Sequence, residues 1–466
     1  MAVREVRYAL RMSGSSIMTR AGSTALATLV LLSPALWNRF PLLEYDTGGY
    51  LARWYEGYLV PSRSTTYGLF AVAGWPLDFW PVVLLQALAA VWIIGLVLRT
   101  HRFAVYPVAL AATTAGLAAT TALPWLASVL LTDIFAGLAV LALHTLAWHS
   151  DRISSRERFA LVVFIAFAAS THSATYAVLL GLAAIAVIVS WLNAEFVPRA
   201  GLLPTTYALV LGAGMLLGAN AVIGKRLAWT PGGFGLEFGR MLQDGIVTRY
   251  LNDHCPDSRL RLCPYRSELP LDADAFLWGD SVFNTLGRFA GLDDEMRSIV
   301  LGSLRDYPLM QLETALRATA RQLVKIGTGE GFVDTIAHTY GIIERYMPSV
   351  GPQMRAARQQ HGEIGFTAIN AIDEPIGWAS MALLPLIVIL GWRAAEFADL
   401  GRLAVTCTLA LIGNAAFCGV ISNPHDRYGS RMVWIAGFAV VLALARAYGF
   451  AYKPQSSLRN ESASTV

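Results

Sequence analysis

Between Ser422 and Arg431 the chain reads Ser-Asn-Pro-His-Asp-Arg-Tyr-Gly-Ser-Arg, which sets two arginines, an aspartate and a histidine between two apolar runs. Ionisable groups so close to apolar segments are costly to keep without a partner or a task. Arginine grips a phosphate in a bidentate fork, and His425 beside Asp426 has the composition of an acid–base pair. The plainer readings are headgroup snorkelling by Arg427 and Arg431 and a structural hydrogen-bonded His–Asp pair. A second polar island, Glu44-Tyr45-Asp46-Thr47-Gly48-Gly49-Tyr50, follows the first apolar run, and Arg63-Ser64-Thr65-Thr66-Tyr67-Gly68 comes soon after. A carboxylate such as Asp46 can take a proton from a hydroxyl, although Asp before Thr-Gly-Gly is also good capping and turn chemistry. Glu44 reads as a solvated loop acid or a second base. Tyr50, Trp54, Tyr55 and Tyr58 read as an interfacial aromatic belt or as a sugar platform.

Three further features carry possible chemistry. Asp133 lies in an apolar run, where an acid normally faces the interior of a helix bundle; it could position an acceptor, pair with an arginine or only bond a neighbouring helix. His172, in the run Ser170-Thr171-His172-Ser173, is a hydrogen bonder at a helix break or a catalyst. Cys255 and Cys263, with seven residues between them in a Pro-bearing loop, could join His254 as zinc ligands, but no fourth is evident, so a short-loop disulfide is expected and no metal site. Cys407 and Cys418 lie in an apolar run and read as packing residues. The glycines of Gly327-Thr328-Gly329-Glu330-Gly331 lack the Lys-Ser/Thr and the preceding strand of a phosphate loop, so this stretch is assigned to an ordinary loop.

The elements that position these groups must be built for lipid. Of 466 residues 55% are hydrophobic and 15% charged, and the mean hydropathy is +0.49. A helix needs roughly 20 apolar residues to cross a hydrocarbon core. The sequence therefore predicts an all-α polytopic membrane protein of about ten transmembrane helices, at 21–38, 80–98, 103–122, 125–148, 158–171, 174–192, 203–223, 376–392, 403–421 and 431–449. The first is expected to be retained rather than cleaved as a signal. The formal charge of +4 is scattered through short loops and forms no stripe for nucleic acid. Counting Arg and Lys loop by loop puts the N-terminus, Arg99–Arg102, His149–Arg158, Arg199, Arg393–Arg402 and the tail on the cytoplasmic side. The opposite face then receives 39–79, the turn at Leu123–Trp125, the break at 171–174, the long segment 224–375 and the turn at Ile421–Ser430. The expected layout is an N-terminal transmembrane module (1–223), one large, mainly helical extracytoplasmic domain (224–375), C-terminal transmembrane helices (376–450) and a cytoplasmic tail (451–466).

An acid just after the first transmembrane helix (Asp46), a Tyr four residues on (Tyr50), a Gly a short helix later (Gly57) and a basic residue before Tyr-Gly (Arg63, Tyr67-Gly68) together resemble the GT-C superfamily of polyprenyl-phosphate-sugar-dependent glycosyltransferases. The protein mannosyltransferase and lipid A aminoarabinose transferase type is most similar. Thr132-Asp133-Ile134-Phe135-Ala136-Gly137 looks like the fourth-helix region of such enzymes, and His172-Ser173 like their helix break, so the resemblance covers about the first 190 residues. It departs from the family where many members carry Asp-Glu and this chain has Asp46-Thr47. The resemblance implies transfer of a sugar from a polyprenyl-phosphate donor to an acceptor hydroxyl on the periplasmic face of a bacterial inner membrane. Asp46 would act as base. Arg63, Arg427 and Arg431 would bind the phosphate, with Arg427-Tyr428 opening the late helix, and Tyr50, Tyr67, Asp133, His172 and His425 would lie in the substrate site. The implied partners are membrane lipid, the lipid-linked sugar and a glycan, lipid or protein acceptor; a divalent metal stays open. An O-antigen polymerase or ligase is the rival enzyme class, with its key basic residues expected in the large loop at Arg240, Arg249 and His338. A lipid or solute transporter is the non-enzymatic rival.

Overall fold

The computed structural model describes residues 19–103, 106–193, 197–225 and 227–449. The basic N-terminal stretch with Arg4, Arg7 and Arg11 and the tail 451–466 lie outside the described residues. Among the described residues the chain is helical, without a strand, and holds an isolated parallel bridge between Leu42 and Val129. Six helices are long and apolar enough to cross a membrane: Trp80–Thr100, Ser173–Leu192, Arg199–Gly224, Thr367–Arg393, Ala395–Ile421 and Asp426–Ala447. Pro107–Thr120 and Ile134–Trp148 are apolar but shorter. The other expected crossings are shorter or divided. The first splits at Leu32 into Arg20–Leu31 and Ser33–Asn38, because Pro34 has no amide to continue the ladder. The expected run 125–148 becomes Leu123–Ser128 and Ile134–Trp148, with Val129 extended between them. The run near 158–192 is two helices, Ser155–Thr171 and Ser173–Leu192, hinged at an extended His172.

The unwound stretch after Ser128 is fully buried, and backbone in that setting is tolerated only where protein groups satisfy it. Leu42 donates to Ser128 O at 2.9 Å and accepts from Leu130 N at 3.0 Å. Gln86 Nε2 donates to Ala127 O (3.2 Å) and Val129 O (2.9 Å), and Thr47 Oγ1 donates to Leu130 O (3.1 Å). Tyr67 in turn donates its hydroxyl to Gln86 Oε1 at 3.1 Å. The loop after the first apolar run is thereby tied to the start of Ile134–Trp148, which brings Asp46 and Asp133 to one level.

The expected extracytoplasmic segment 224–375 divides between two cores. Phe238, Leu242, Phe276, Phe283 and Met296 centre a separate small core, whereas Ile326, Ile336, Ile343, Met347 and Met354 join the main one. Thr339 and Gln359 grip the first loop: Gly48 N donates to Thr339 Oγ1 (3.0 Å), and the Gln359 amide bonds both the N–H and the C=O of Leu43. The helix expected from 376 starts earlier, at Thr367, so the predicted domain boundary falls inside it. Within this segment two helices follow one another, Arg288–Asp306 and Pro308–Val324. In the second, Gln311, Thr314 and Gln322 face inward while Leu309, Leu312, Leu316 and Val324 are exposed. The same outward face also carries Glu313 and Arg317, paired at 2.6 Å, so it mixes leucines with charge.

Cys255 and Cys263 are disulfide-bonded, and Cys407 and Cys418 are free and buried. Non-reduced protein denatured with an alkylating reagent should therefore take two labels, at Cys407 and Cys418, and four after reduction, read by intact mass. Replacing Gln86 with Leu leaves the carbonyl of Ala127 without its side-chain donor and that of Val129 with the Leu131 amide alone. Since an unmatched buried polar group costs about 1–3 kcal/mol, Gln86→Leu should lower the melting temperature in detergent by several degrees; an unchanged melting curve would show that the unwound stretch does not depend on it.

Candidate anion-binding and proton-transfer site

Asp46 stands at the start of the helix Thr47–Glu56, yet its side chain makes no capping hydrogen bond. The turn is closed by its neighbours: Glu44 N donates to Thr47 Oγ1 (3.0 Å), and Asp46 N donates to Glu44 Oε2 (2.7 Å). The Asp46 carboxylate is thus left free to pair, and it does so on both oxygens. Oδ1 is in tight contact with Arg63 Nη2, and Oδ2 is 2.8 Å from Arg427 Nη1. Arg63 is presented by a loop that the buried Arg53 shapes, donating to Gly49 O at 3.0 Å, to Thr65 Oγ1 at 3.2 Å and to Arg63 O. Arg427 comes from the first turn of Asp426–Ala447.

From Arg427 the chain of charges runs inward. Its Nη1 also donates to Glu44 Oε1 at 2.6 Å, and its Nε lies 3.5 Å from Asp133 Oδ2. Asp133 Oδ1 is 3.3 Å from Arg431 Nη1. Arg431, fully buried, donates from Nη2 to Asn414 Oδ1 (2.8 Å) and to Cys418 Sγ (3.3 Å). Three carboxylates and three guanidiniums, from four segments remote in sequence, form one network. Side-chain exposure falls along it, from 18% at Arg63, 11% at Arg427 and 8% at Asp46 to none at Glu44 and Arg431. The outer rim is Arg63, Asp46 and Arg427, and the cleft beside it is lined by Arg63, Ser64, His172, Asn220 and Trp229. That cleft encloses about 20 Å³, room for a water or two. The arginines are occupied by the protein's own carboxylates, so an anionic ligand must displace them.

The remaining expected residues fall around this network in different ways. His172 caps Ser173–Leu192, accepting from Ala174 N at Nδ1 (3.1 Å), and its Nε2 lies 3.4 Å from Arg431 Nη1. Tyr428 lies beneath both arginines, whose guanidinium carbons are each 5.5 Å from its ring centre. Tyr50 is buried, with its hydroxyl 3.4 Å from Thr132 Oγ1 and its ring 5.9 Å from the Arg63 guanidinium; neither it nor Tyr67 offers an open face to a sugar. Tyr67 supports Gln86. His425 does not pair with Asp426, which accepts from Gly327 N instead. Its partners are Glu330 Oε1 at 2.6 Å and Asp274 Oδ2 at 3.3 Å. Burial works to lower His425, but the hydrogen bonds from Asp274 and Glu330 outweigh it and push the imidazole up to about 9, so it is charged near neutral pH.

Several of these partners carry no sequence signal of their own. Glu330, in the stretch assigned to an ordinary loop, also accepts from Arg427 N at 2.8 Å, and Gln322 bonds the backbone of His425 in both directions. Gly331 adopts φ +87°, and a β-carbon there would run into the Glu44 carboxylate. The density of glycines around Glu330 is the signal that could have been followed. Glu44, which also reads as a solvated loop acid, is fully buried.

The electrostatics separate the two neighbouring acids. Burial tends to raise Asp46, but Arg63 and Arg427 together hold it below the ordinary carboxylate value. Burial pushes Glu44 from 4.5 up to about 8 against the pull of Arg427. Burial prevails because Arg427 is shared among Glu44, Asp46 and Asp133. Both Asp46 oxygens already meet guanidiniums, an arrangement suited to receiving an anion rather than a divalent cation.

No family model, characterised protein or solved structure matches this chain. The functional reading therefore rests on geometry and on the residues named above.

Because the folded-state value of Glu44 lies above its unfolded value, the stabilisation from its protonated form is full below about 4.5 and is lost progressively as pH rises through about 8. The melting temperature of the wild-type protein should fall relative to that of Glu44→Gln between pH 5 and pH 9 (roughly spanning that interval). Parallel curves for the two proteins would contradict the assignment.

Proposed function

We propose that the protein is a membrane glycosyltransferase of GT-C type, which moves a sugar from a polyprenyl-phosphate donor to an acceptor hydroxyl at the outer face of a bacterial inner membrane. The observation that carries this reading is the clasp of Asp46 between Arg63 and Arg427. It gives one carboxylate able to accept a proton and two guanidiniums able to receive a phosphate in direct contact with it, with Arg63 lining the cleft beside them. About ten crossings, with the four shorter or divided helices completing the bundle, belong to the same proposal.

In this reading the donor phosphate takes the place of the Asp46 carboxylate at Arg63 and Arg427, with Arg431 and Asp133 fixing Arg427 from behind. Losing its two cations raises the proton affinity of Asp46, so donor binding itself turns a poor base into a useful one. The acceptor oxygen attacks the anomeric carbon, its proton passes to Asp46, and the carbon–oxygen bond to phosphate breaks. Polyprenyl phosphate leaves with the electron pair, its charge held by the arginines. The helix Pro308–Val324 supports entry from the lipid. Its exposed leucines face away from the protein, while its Gln322 holds the turn at His425, two residues from Arg427.

The polymerase or ligase alternative needs basic residues of the large segment gathered at a site. Arg240 is buried in bonds to Val420 O, Gln311 and Thr314; Arg249 is exposed beside Asp253, and His338 is exposed elsewhere. They do not converge.

The test separates the two roles. Polyprenyl phosphate titrated into protein in nanodiscs should raise the melting temperature of wild type and of Asp46→Asn but not of Arg427→Ala. Membranes carrying Asp46→Asn should lose sugar transfer by a factor of 100 or more, on the order expected for a general base. Transfer retained in Asp46→Asn would remove Asp46 from the mechanism, and a shift retained in Arg427→Ala would remove the phosphate site.

A further inference from the structure

The helix Ile134–Trp148 has Asp133 at one end and carries His144 and His149 at the other, roughly 20 Å away at the helical rise per residue. There they meet His101, which follows the helix Trp80–Thr100, so that three of the eight histidines in the chain share one spot. All three are buried, exposed by no more than 2%. Their ring centres are 4.7 to 5.8 Å apart, and one ring nitrogen of each lies within 4.8 Å of the other two. The Nε2 atoms of His101, His144 and His149 are buried with no hydrogen-bond partner. Three unmatched nitrogens in one place are hard to account for as packing, because buried polar atoms nearly always find partners.

The hydrogen bonds on the far side of two rings fix where the lone pairs are. His101 Nδ1 lies 2.8 Å from Val97 O, which can only accept, so Nδ1 carries the proton and Nε2 is bare. His144 Nδ1 lies 2.9 Å from Thr406 Oγ1, and that hydroxyl already donates to Arg402 O at 3.0 Å. The hydroxyl must then accept, so His144 also has a protonated Nδ1 and a bare Nε2. A ring N–H held by a backbone carbonyl or hydroxyl, which orients the ring and leaves the opposite nitrogen free, is how metal-binding histidines are held.

We infer that His101, His144 and His149 form a site for a divalent transition metal of the zinc type, held by three imidazole nitrogens and clasping the ends of two helices at the face of the bundle opposite the Asp46 network. Zinc–nitrogen bonds of 2.0–2.1 Å place tetrahedral ligands about 3.4 Å apart, so the rings must close by about an ångström. Asp399, paired with Arg446, is the nearest counter-charge, and Arg152 and Arg402 also bear on the cluster. Imidazole bonding rather than a surplus of negative charge must hold the ion. The distance from Asp46 makes the role structural and independent of the transferase reading.

The test uses full-length protein in detergent, purified without a polyhistidine tag or chelator. Wild type should contain about one equivalent of zinc by mass spectrometry of the metal, or take it up on addition of zinc alone, and should give visible-region absorption with cobalt(II). A chelator should lower its melting temperature. The double variant His144→Gln, His149→Gln should lose the metal, the absorption and the chelator response, whereas His254→Gln and His361→Gln should keep all three. Wild-type protein that neither contains zinc nor responds to added zinc or cobalt(II) would overturn the site. So would metal that persists in the double variant, because it would lie elsewhere.

Discussion

Ionised side chains in a protein built for lipid must be matched locally, and in this chain the matching is done by one continuous series of carboxylates and guanidiniums from Arg63 through Asp46, Arg427 and Asp133 to Arg431. Each member is partnered by another from a different segment. Deleting one leaves a buried charge exposed to its neighbour, which is far more costly than the net worth of the pair. The breaks in the fold follow from this requirement. Asp133 reaches Arg427 because the helix that would run from Leu123 to Trp148 is interrupted before it. The carbonyls freed by that interruption are met by Gln86, Leu42 and Thr47. The first loop is held from the other side by Thr339 and Gln359, so the region after Ile326 functions as a clamp on the site rather than as a detached domain.

Position along the network decides what each charge can do. Arg431 and Glu44 are sealed from solvent and act on their neighbours only. Arg63 lines the cleft, and Asp46 and Arg427 behind it keep a small residual exposure. Arginine paired with a carboxylate in this way is both stored and exchangeable: an incoming phosphate offers the same bidentate partner, and the displaced Asp46 becomes more basic in the same event. In the proposed transferase, a single substitution of anions would couple donor capture to activation of the base. The helix Pro308–Val324, with leucines outward and Gln322 on the His425 turn, links that rim to the side from which a lipid-linked donor would arrive.

Much of this was legible in the sequence. Apolar run length found the six membrane-length helices, because that signal is set by the thickness of a hydrocarbon core and is local, but it missed the early start at Thr367 and the breaks within 21–38 and 125–148. The polar islands at Asp46 and at Ser422–Arg431 were legible for the converse reason, since charge beside an apolar run is rarely idle. What local pattern could not show is which charge meets which. Asp426 follows His425 in sequence, yet His425 turns to Glu330 and Asp274, supplied by loops about 95 and 150 residues away. Tyr67, expected in the substrate site, is buried and donates to Gln86, a partner its own neighbours in sequence do not announce. Glu44 read as a solvated acid because its burial depends on Gly331, whose φ of +87° lets a loop close over it. The histidine cluster was invisible, because His101 is far in sequence from His144 and His149 and only packing brings them together.

The central claim is that an anion belongs where Asp46 now sits between Arg63 and Arg427. Its most direct measurement is a high-resolution structure of the protein in nanodiscs with bound polyprenyl phosphate. The account predicts the phosphate within hydrogen-bonding distance of both guanidiniums, the Asp46–Arg427 contact opened and the polyprenyl chain running out past Pro308–Val324. A phosphate bound elsewhere, with the Asp46 clasp unchanged, would contradict it.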